Sequence, residues 1–227
     1  TFKNACGLDA DGHETTARDI AIMSRELTTR YPDIFNYTSI WTDTIIHKTR
    51  RGEKEFGLVN TNKFLRQYQG ATGLKTGYTS TAHYCISATA NRNGVKLIAV
   101  VMGADTKENR NTDAAKLLDY GFARCYAYTD KKILQKNDIK VLNGDREYVK
   151  ITSVSDFNAV LLNGEKAEDV KKKLVLYDDE LKAPLKKGDC IGYVKYTVGD
   201  RTIGMVAVNT GEAVGEKTYM YGMQTMF

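Results

Sequence analysis

Two strand-like runs joined by a four-residue turn constrain the fold of this chain more than any other feature. Tyr84-Cys85-Ile86-Ser87-Ala88-Thr89-Ala90 and Val95-Lys96-Leu97-Ile98-Ala99-Val100-Val101-Met102 flank Asn91-Arg92-Asn93-Gly94. Asn-Gly supplies the left-handed residues that a tight hairpin turn demands, so the runs are predicted to pair antiparallel. The second run is almost continuously apolar, which predicts cover on both of its faces.

Helices are predicted on either side of this hairpin in the sequence. Thr15-Thr16-Ala17-Arg18-Asp19 reads as a helix start, with Thr16 as the cap and Asp19 returning a bond to the cap amide. Ile20, Met23 and Leu27 then recur at helical spacing, and Pro32 ends the run because the residue before a proline leaves the α region. A second helix is predicted over about 111–122, with Ala114, Leu117, Leu118 and Phe122 apolar and Gly121 near its end.

The pattern changes after Tyr128. Polar stretches are followed by short strands at 139–142, 148–151, 159–162, 174–177, 191–196 and 202–208. Turn signals separate them at Asn143-Gly144-Asp145, Asn163-Gly164, Lys187-Gly188-Asp189 and Gly199-Asp200. Such spacing predicts a small all-β sandwich, and the boundary falls near residues 127–131. The chain therefore reads as an α/β domain of α+β type over residues 1–128 and a β-rich domain over residues 129–227.

Composition narrows the function classes. The net charge of +5 comes from interleaved charges of both signs, so nothing demands nucleic acid. Cys6, Cys85, Cys125 and Cys190 are far apart, which excludes Cys-x-x-Cys motifs and favours scattered buried thiols over two disulfides. His13, His47 and His83 lack metal-ligand spacing, so neither a metal nor another cofactor is expected. Asp9 and Asp11 read as turn-making residues. No stretch reaches the ~18 apolar residues of a membrane span. Tyr219, Met220, Tyr221, Met223, Met226 and Phe227 form an apolar tail that reads as packing on the β-rich part, or else as the approach to a membrane anchor outside the chain.

The chemistry concentrates in Gly73-Leu74-Lys75-Thr76-Gly77-Tyr78-Thr79, just before the hairpin. The Lys75 ammonium on a strand supplies positive potential toward a carboxylate and a neighbouring hydroxyl. The Thr76 hydroxyl can bond that carboxylate, Gly77 lets a ligand approach the backbone, and the Tyr78 amide can face a developing oxyanion. The hydroxyl of Thr79 adds a further polar contact.

Lys-Thr-Gly is one of three motifs that mark penicillin-binding proteins and class A β-lactamases. The others are Ser-x-x-Lys and Ser-x-Asn, and none of the serines at 24, 39, 80, 87, 153 and 155 begins either. The wider order of segments resembles the low-molecular-mass penicillin-binding proteins, the serine-type D-alanyl-D-alanine carboxypeptidases of the S11 peptidase family. Gly7-Leu8-Asp9-Ala10-Asp11-Gly12-His13 with the helix start after it, Asn60-Thr61-Asn62-Lys63-Phe64-Leu65, residues 97–104, and Arg110 with Ala115-Lys116-Leu117-Leu118 all carry the match. The β-rich remainder resembles that family's C-terminal domain.

The resemblance implies a penicillin-binding/β-lactamase-like transpeptidase fold, an antiparallel sheet flanked by helices. It implies removal of the terminal D-Ala from peptidoglycan stem peptides through an acyl-enzyme, acylation by β-lactams, and an exported protein acting outside the cytoplasm. Lys75, Thr76 and Tyr78 take catalytic roles by this likeness, and Gly77, Thr79 and Arg110 bind substrate. In the family the Ser-x-x-Lys and Ser-x-Asn segments lie upstream of Gly-Leu-Asp. The chain, opening at Thr1, thus reads as a C-terminal part whose partner is the segment bearing the nucleophile, and on its own it is expected to be inactive. Family members that resemble this chain elsewhere often have Arg where this chain has Thr61, so one carboxylate contact is not carried over by the resemblance. The competing readings are a non-catalytic wall-binding or assembly module and a β-lactamase.

Overall fold

The computed structural model describes residues 1–134 and 138–217. Two compact units divide the chain, Thr1–Cys125 and a second that begins at Tyr126.

The first unit runs through α1 (Ala17–Arg30), α2 (Phe35–Thr38), β1 (Thr42–Thr49), β2 (Gly52–Val59), α3 (Phe64–Gln67), β3 (Ala71–Thr79), β4 (His83–Arg92), β5 (Val95–Ala104) and α4 (Lys107–Phe122). Strands β3, β4 and β5 form an antiparallel sheet in that order. The expected hairpin is β4–β5, with Asn93 and Gly94 at φ 51° and 81°, the pair of left-handed residues that matches the twist of the strands. Alternation along β4 sends Ile86, Ala88 and Ala90 to one face, where they pack with Ala114 and Leu118 of α4. The intervening Ser87 faces α1, and its Oγ lies 2.7 Å from Ser24 Oγ. Both faces of the sheet thus carry a helix. At Gly121 an added Cβ would lie 2.6 Å from Leu97 Cδ1, so α4 crosses β5 closely there.

Several expectations need correction. Helix α4 begins at Lys107, four residues before the predicted start, because the Thr106 hydroxyl accepts the Asn109 amide at 3.0 Å and caps it. Arg110 therefore sits in the first turn, not ahead of the helix. In α1 the Thr16 hydroxyl accepts the Asp19 amide at 3.1 Å as expected. The Asp19 carboxylate, however, accepts from the Thr16 hydroxyl at 2.9 Å and not from the cap amide. The predicted apolar face of α1 is only partly covered: Ile20 is half-buried, Met23 and Leu27 are exposed, and Ser24 is the helix's buried residue. The ribbon β1–β2, exposed along its whole length, had no strong signal in the sequence.

The second unit contains β6 (Cys125–Asp130, from its second residue on), β7 (Asp138–Leu142), β8 (Tyr148–Ser153), β9 (Phe157–Leu162), β10 (Val170–Leu176), β11 (Leu181–Lys182), β12 (Cys190–Val198) and β13 (Arg201–Thr210). Six strands form one sheet in the order β10-β12-β13-β8-β7-β11, and β6 pairs with β9. Asn143, Gly164, Gly188 and Gly199 take positive φ at the predicted turns. Phe157 of β9 stacks on Tyr196 of β12 at 3.7 Å within a core that includes Val149, Ile151, Val194, Val206 and Val208. Beside that core, Lys172 Nζ lies 2.8 Å from Asp130 Oδ2, to which the Tyr196 hydroxyl donates at 2.9 Å. Strands β6 and β11 escaped the sequence reading.

The four thiols are free, with Cys6 and Cys190 exposed and Cys85 and Cys125 half-buried, so they are not the buried groups expected. Among the described residues, no helix is long and apolar enough to cross a membrane. The apolar tail at 219–227 lies outside the described residues.

Candidate active site

Strand β3 holds the predicted motif at an edge of its sheet among the described residues. On an edge strand alternate residues turn their N–H and C=O away from the partner strand. Register sets Lys75 opposite Ser87, Thr76 opposite Ile86, Gly77 opposite Cys85, and Tyr78 opposite Tyr84. The period of two then sends Lys75, Gly77 and Thr79 to one face, and Thr76 and Tyr78 to the other.

A cavity lies on each side. The first, about 600 Å³, is lined by Cys6, Leu8, Lys75, Gly77, Cys85 and Ser87 among others. The second, about 270 Å³, lies against α3 and α4 and is lined by Lys63, Gln67, Thr76, Tyr78, Lys107 and Arg110 among others. Thr76, Gly77 and Tyr78 border both. The Lys75 side chain is exposed beside the first cavity, and its ammonium donates to the Thr76 carbonyl. Nothing within 4 Å would meet a Cβ at Gly77, so the space over that backbone is open. Tyr78 packs against Tyr84 with the rings tilted by 33° and their centroids 4.4 Å apart. The Thr79 hydroxyl accepts the Ala82 amide at 2.9 Å, which closes the β3–β4 turn and leaves its proton available to donate.

Arg110 is 6% exposed, yet lines the second cavity. Burial pushes its guanidinium below the ordinary arginine value, opposed by Cys85, Glu108 and Tyr84. Its Nε and Nη2 donate to Asn111 Oδ1 at 3.0 and 2.9 Å. Asn111 Nδ2 in turn donates to Gln67 Oε1 at 2.5 Å. With Lys63 and Lys107 against Glu108, the cavity carries a positive excess that suits an anion. The sequence reading singled out Arg110 but not Gln67, Asn111, Lys63 or Lys107, which line the same cavity and which no spacing rule joins to β3.

Ser24 and Ser87 share the Lys75 face of the sheet, but both are buried and bonded to each other. A larger cavity of about 1110 Å³ in the second unit is edged by Asp178, Asp179, Glu180 and Asp189. No group of three or more His, Cys, Asp or Glu suited to a metal occurs among the described residues.

Residues 1–106 match the family described as D-alanyl-D-alanine carboxypeptidase, and residues 128–216 match the penicillin-binding protein 5 C-terminal domain. D-alanyl-D-alanine carboxypeptidase DacF of Bacillus subtilis is 36% identical over 196 residues, covering 85% of this chain and 48% of that protein. DacA of Haemophilus influenzae is 30% identical over 220 residues, covering 95% and 53%. The chain thus spans about half the length of the curated relatives it matches. The crystal structure of penicillin binding protein 5 from Haemophilus influenzae aligns with a TM-score of 0.69 at 29% identity, covering 92% of this chain and 59% of that one. That of a peptidoglycan synthesis regulatory factor (PBP3) from Streptococcus pneumoniae aligns at 0.66 with 22% identity, covering 88% and 57%, a likeness of fold alone.

Proposed function

Residues 1–106 belong to the D-alanyl-D-alanine carboxypeptidase family and residues 128–216 to that of the penicillin-binding protein 5 C-terminal domain, and from this premise we propose that the protein carrying this chain is a serine-type D-Ala-D-Ala carboxypeptidase. Its substrate is a peptidoglycan stem peptide ending in D-Ala-D-Ala, met outside the cytoplasm. Residues 1–128 contribute a wall of the acyl-transfer site, and residues 129–227 form the β-rich domain. The observation that carries the reading is the strand Lys75-Thr76-Gly77-Tyr78-Thr79, exposed at a sheet edge between two cavities, with a buried Arg110 beside the second.

No Ser-x-x-Lys occurs in the sequence, so the attacking serine is assigned to a segment outside residues 1–227. Its Oγ bonds to the carbonyl carbon of the scissile peptide, and the carbonyl oxygen becomes an oxyanion facing the Tyr78 amide. The C–N bond then breaks, and D-Ala leaves as an amine carrying the proton that the serine hydroxyl gave up on attack. Lys75 supports that transfer through its positive field. Water afterwards attacks the ester, releasing the shortened peptide and restoring the serine. The Thr76 hydroxyl and the Arg110 guanidinium hold the terminal carboxylate, the Thr79 hydroxyl on the other face of β3 meets another part of the peptide, and open space at Gly77 admits the substrate backbone. A β-lactam acylates the same serine in place of the peptide.

Intact-mass measurement after incubation with a penicillin tests this. The complete protein should gain one covalent adduct, and the 227-residue chain should gain none and release no D-Ala. An intact complete protein without an adduct would leave the chain as a wall-binding module. Turnover by the 227-residue chain would place the nucleophile within it.

A further inference from the structure

Two side-chain amides beside Thr76 have their polarity set by a neighbour that can only donate. A guanidinium has no acceptor, so the Asn111 oxygen must face Arg110, where it receives both Nε and Nη2. The Asn111 NH2 is thereby turned the other way. It meets Gln67 at 2.5 Å, and two NH2 groups cannot face each other in a hydrogen bond, so Gln67 presents its oxygen. The Gln67 NH2 is then left over, and Gln67 lines the 270 Å³ cavity with Thr76, Tyr78 and Arg110. Gln67 ends the short α3 and Asn111 follows directly on the first turn of α4, so two separate elements fix the arrangement. Among the described residues the Gln67 NH2 has no hydrogen-bond partner that would draw it away from the cavity.

We infer that Gln67 binds substrate, its NH2 donating to a carboxylate or peptide oxygen of the D-Ala-terminated peptide, and that Asn111 is a positioning residue that relays the donor polarity of Arg110 to it. The assignment rests on the reading above that this cavity receives the peptide terminus. Gln67, Arg110, Lys63, Lys107 and the Thr76 hydroxyl all offer donors to one space, against the single carboxylate of Glu108. Such a wall favours a ligand end rich in acceptors, an anionic carboxylate above a carboxamide.

The relay predicts how substitutions combine. Gln67→Met removes the donor and should raise KM for a D-Ala-D-Ala peptide about tenfold, with most of the change in KM and little in kcat. Asn111→Asp still accepts from Arg110 but offers no donor, so Gln67 turns its NH2 toward the new carboxylate and its oxygen into the cavity. KM should again rise. Adding Gln67→Arg to Asn111→Asp restores donors on both sides and should bring KM back. A purely structural role for Asn111 predicts no such rescue.

The experiment uses the complete protein labelled with 15N, titrated with N-acetyl-D-alanyl-D-alanine and assayed for D-Ala release. Shifted Gln67 side-chain amide signals, together with the KM pattern, support the assignment. Turnover by the wild type with unmoved Gln67 signals and unchanged KM in Gln67→Met overturns it and leaves the carboxypeptidase reading standing. Absence of turnover with shifted signals, weakened by Gln67→Met, overturns the enzymatic reading and keeps Gln67 as a ligand donor. Absence of both overturns both.

Discussion

Gly77 illustrates how a single residue separates folding from function. Its Cβ position meets open space, so Gly77→Ala in the complete protein should leave unfolding free energy within about 0.5 kcal/mol of wild type. On the proposed reading the methyl would stand where substrate backbone approaches, so kcat/KM for D-Ala release should fall about 10–100-fold. Lys75→Ala is expected to lower kcat about 100-fold, one preorganised donor being worth about 3 kcal/mol. Equal rates for either variant would remove that residue from the site. Lys75-Thr76-Gly77 was legible in the sequence because its chemistry lies in one continuous segment. Gln67 and Asn111 were not, because their pairing spans 44 positions and exists only once α3 and α4 meet.

Elements were read well where a local signal fixes the backbone. Asn93-Gly94 dictated the hairpin, and Thr16 and Pro32 bounded α1. Helix α4 was read too short because its first turn, Lys107-Glu108-Asn109-Arg110, is polar and gives no apolar period. The capping hydroxyl of Thr106 was the available signal. Thr106→Ala should therefore cost about 1 kcal/mol in chemical denaturation, and a variant as stable as wild type would show that the cap is dispensable. The ribbon β1–β2 was missed for the opposite reason: neither face is buried, so no alternation of apolar and polar residues marks it. In the second unit, β11 is only two residues long and its pairing with β7 is parallel, a contact that sequence spacing does not encode.

Each unit has its own buried cluster, and the second adds a polar contact that ties stability to pH. Burial alone would raise the Asp130 carboxyl. The Lys172 ammonium, the Lys132 amide and the Tyr196 hydroxyl outweigh it and hold the group below the usual carboxylate value. A group depressed in the folded state stabilises it above the unfolded value of about 3.9 and loses that contribution as pH falls through the folded one. Asp130→Ala should thus destabilise the second unit by about 1–3 kcal/mol at pH 7, leaving Lys172 half desolvated, and by less at pH 3. Equal losses at both pH values would sink the assignment. The first unit carries a different burden. Met23 and Leu27 on α1, with Ile45, Ile46, Phe56 and Val59 on the ribbon, turn greasy side chains toward water. Crowded together, such molecules stick to one another, so the yield of clear solution would be governed by concentration and salt before it is governed by melting.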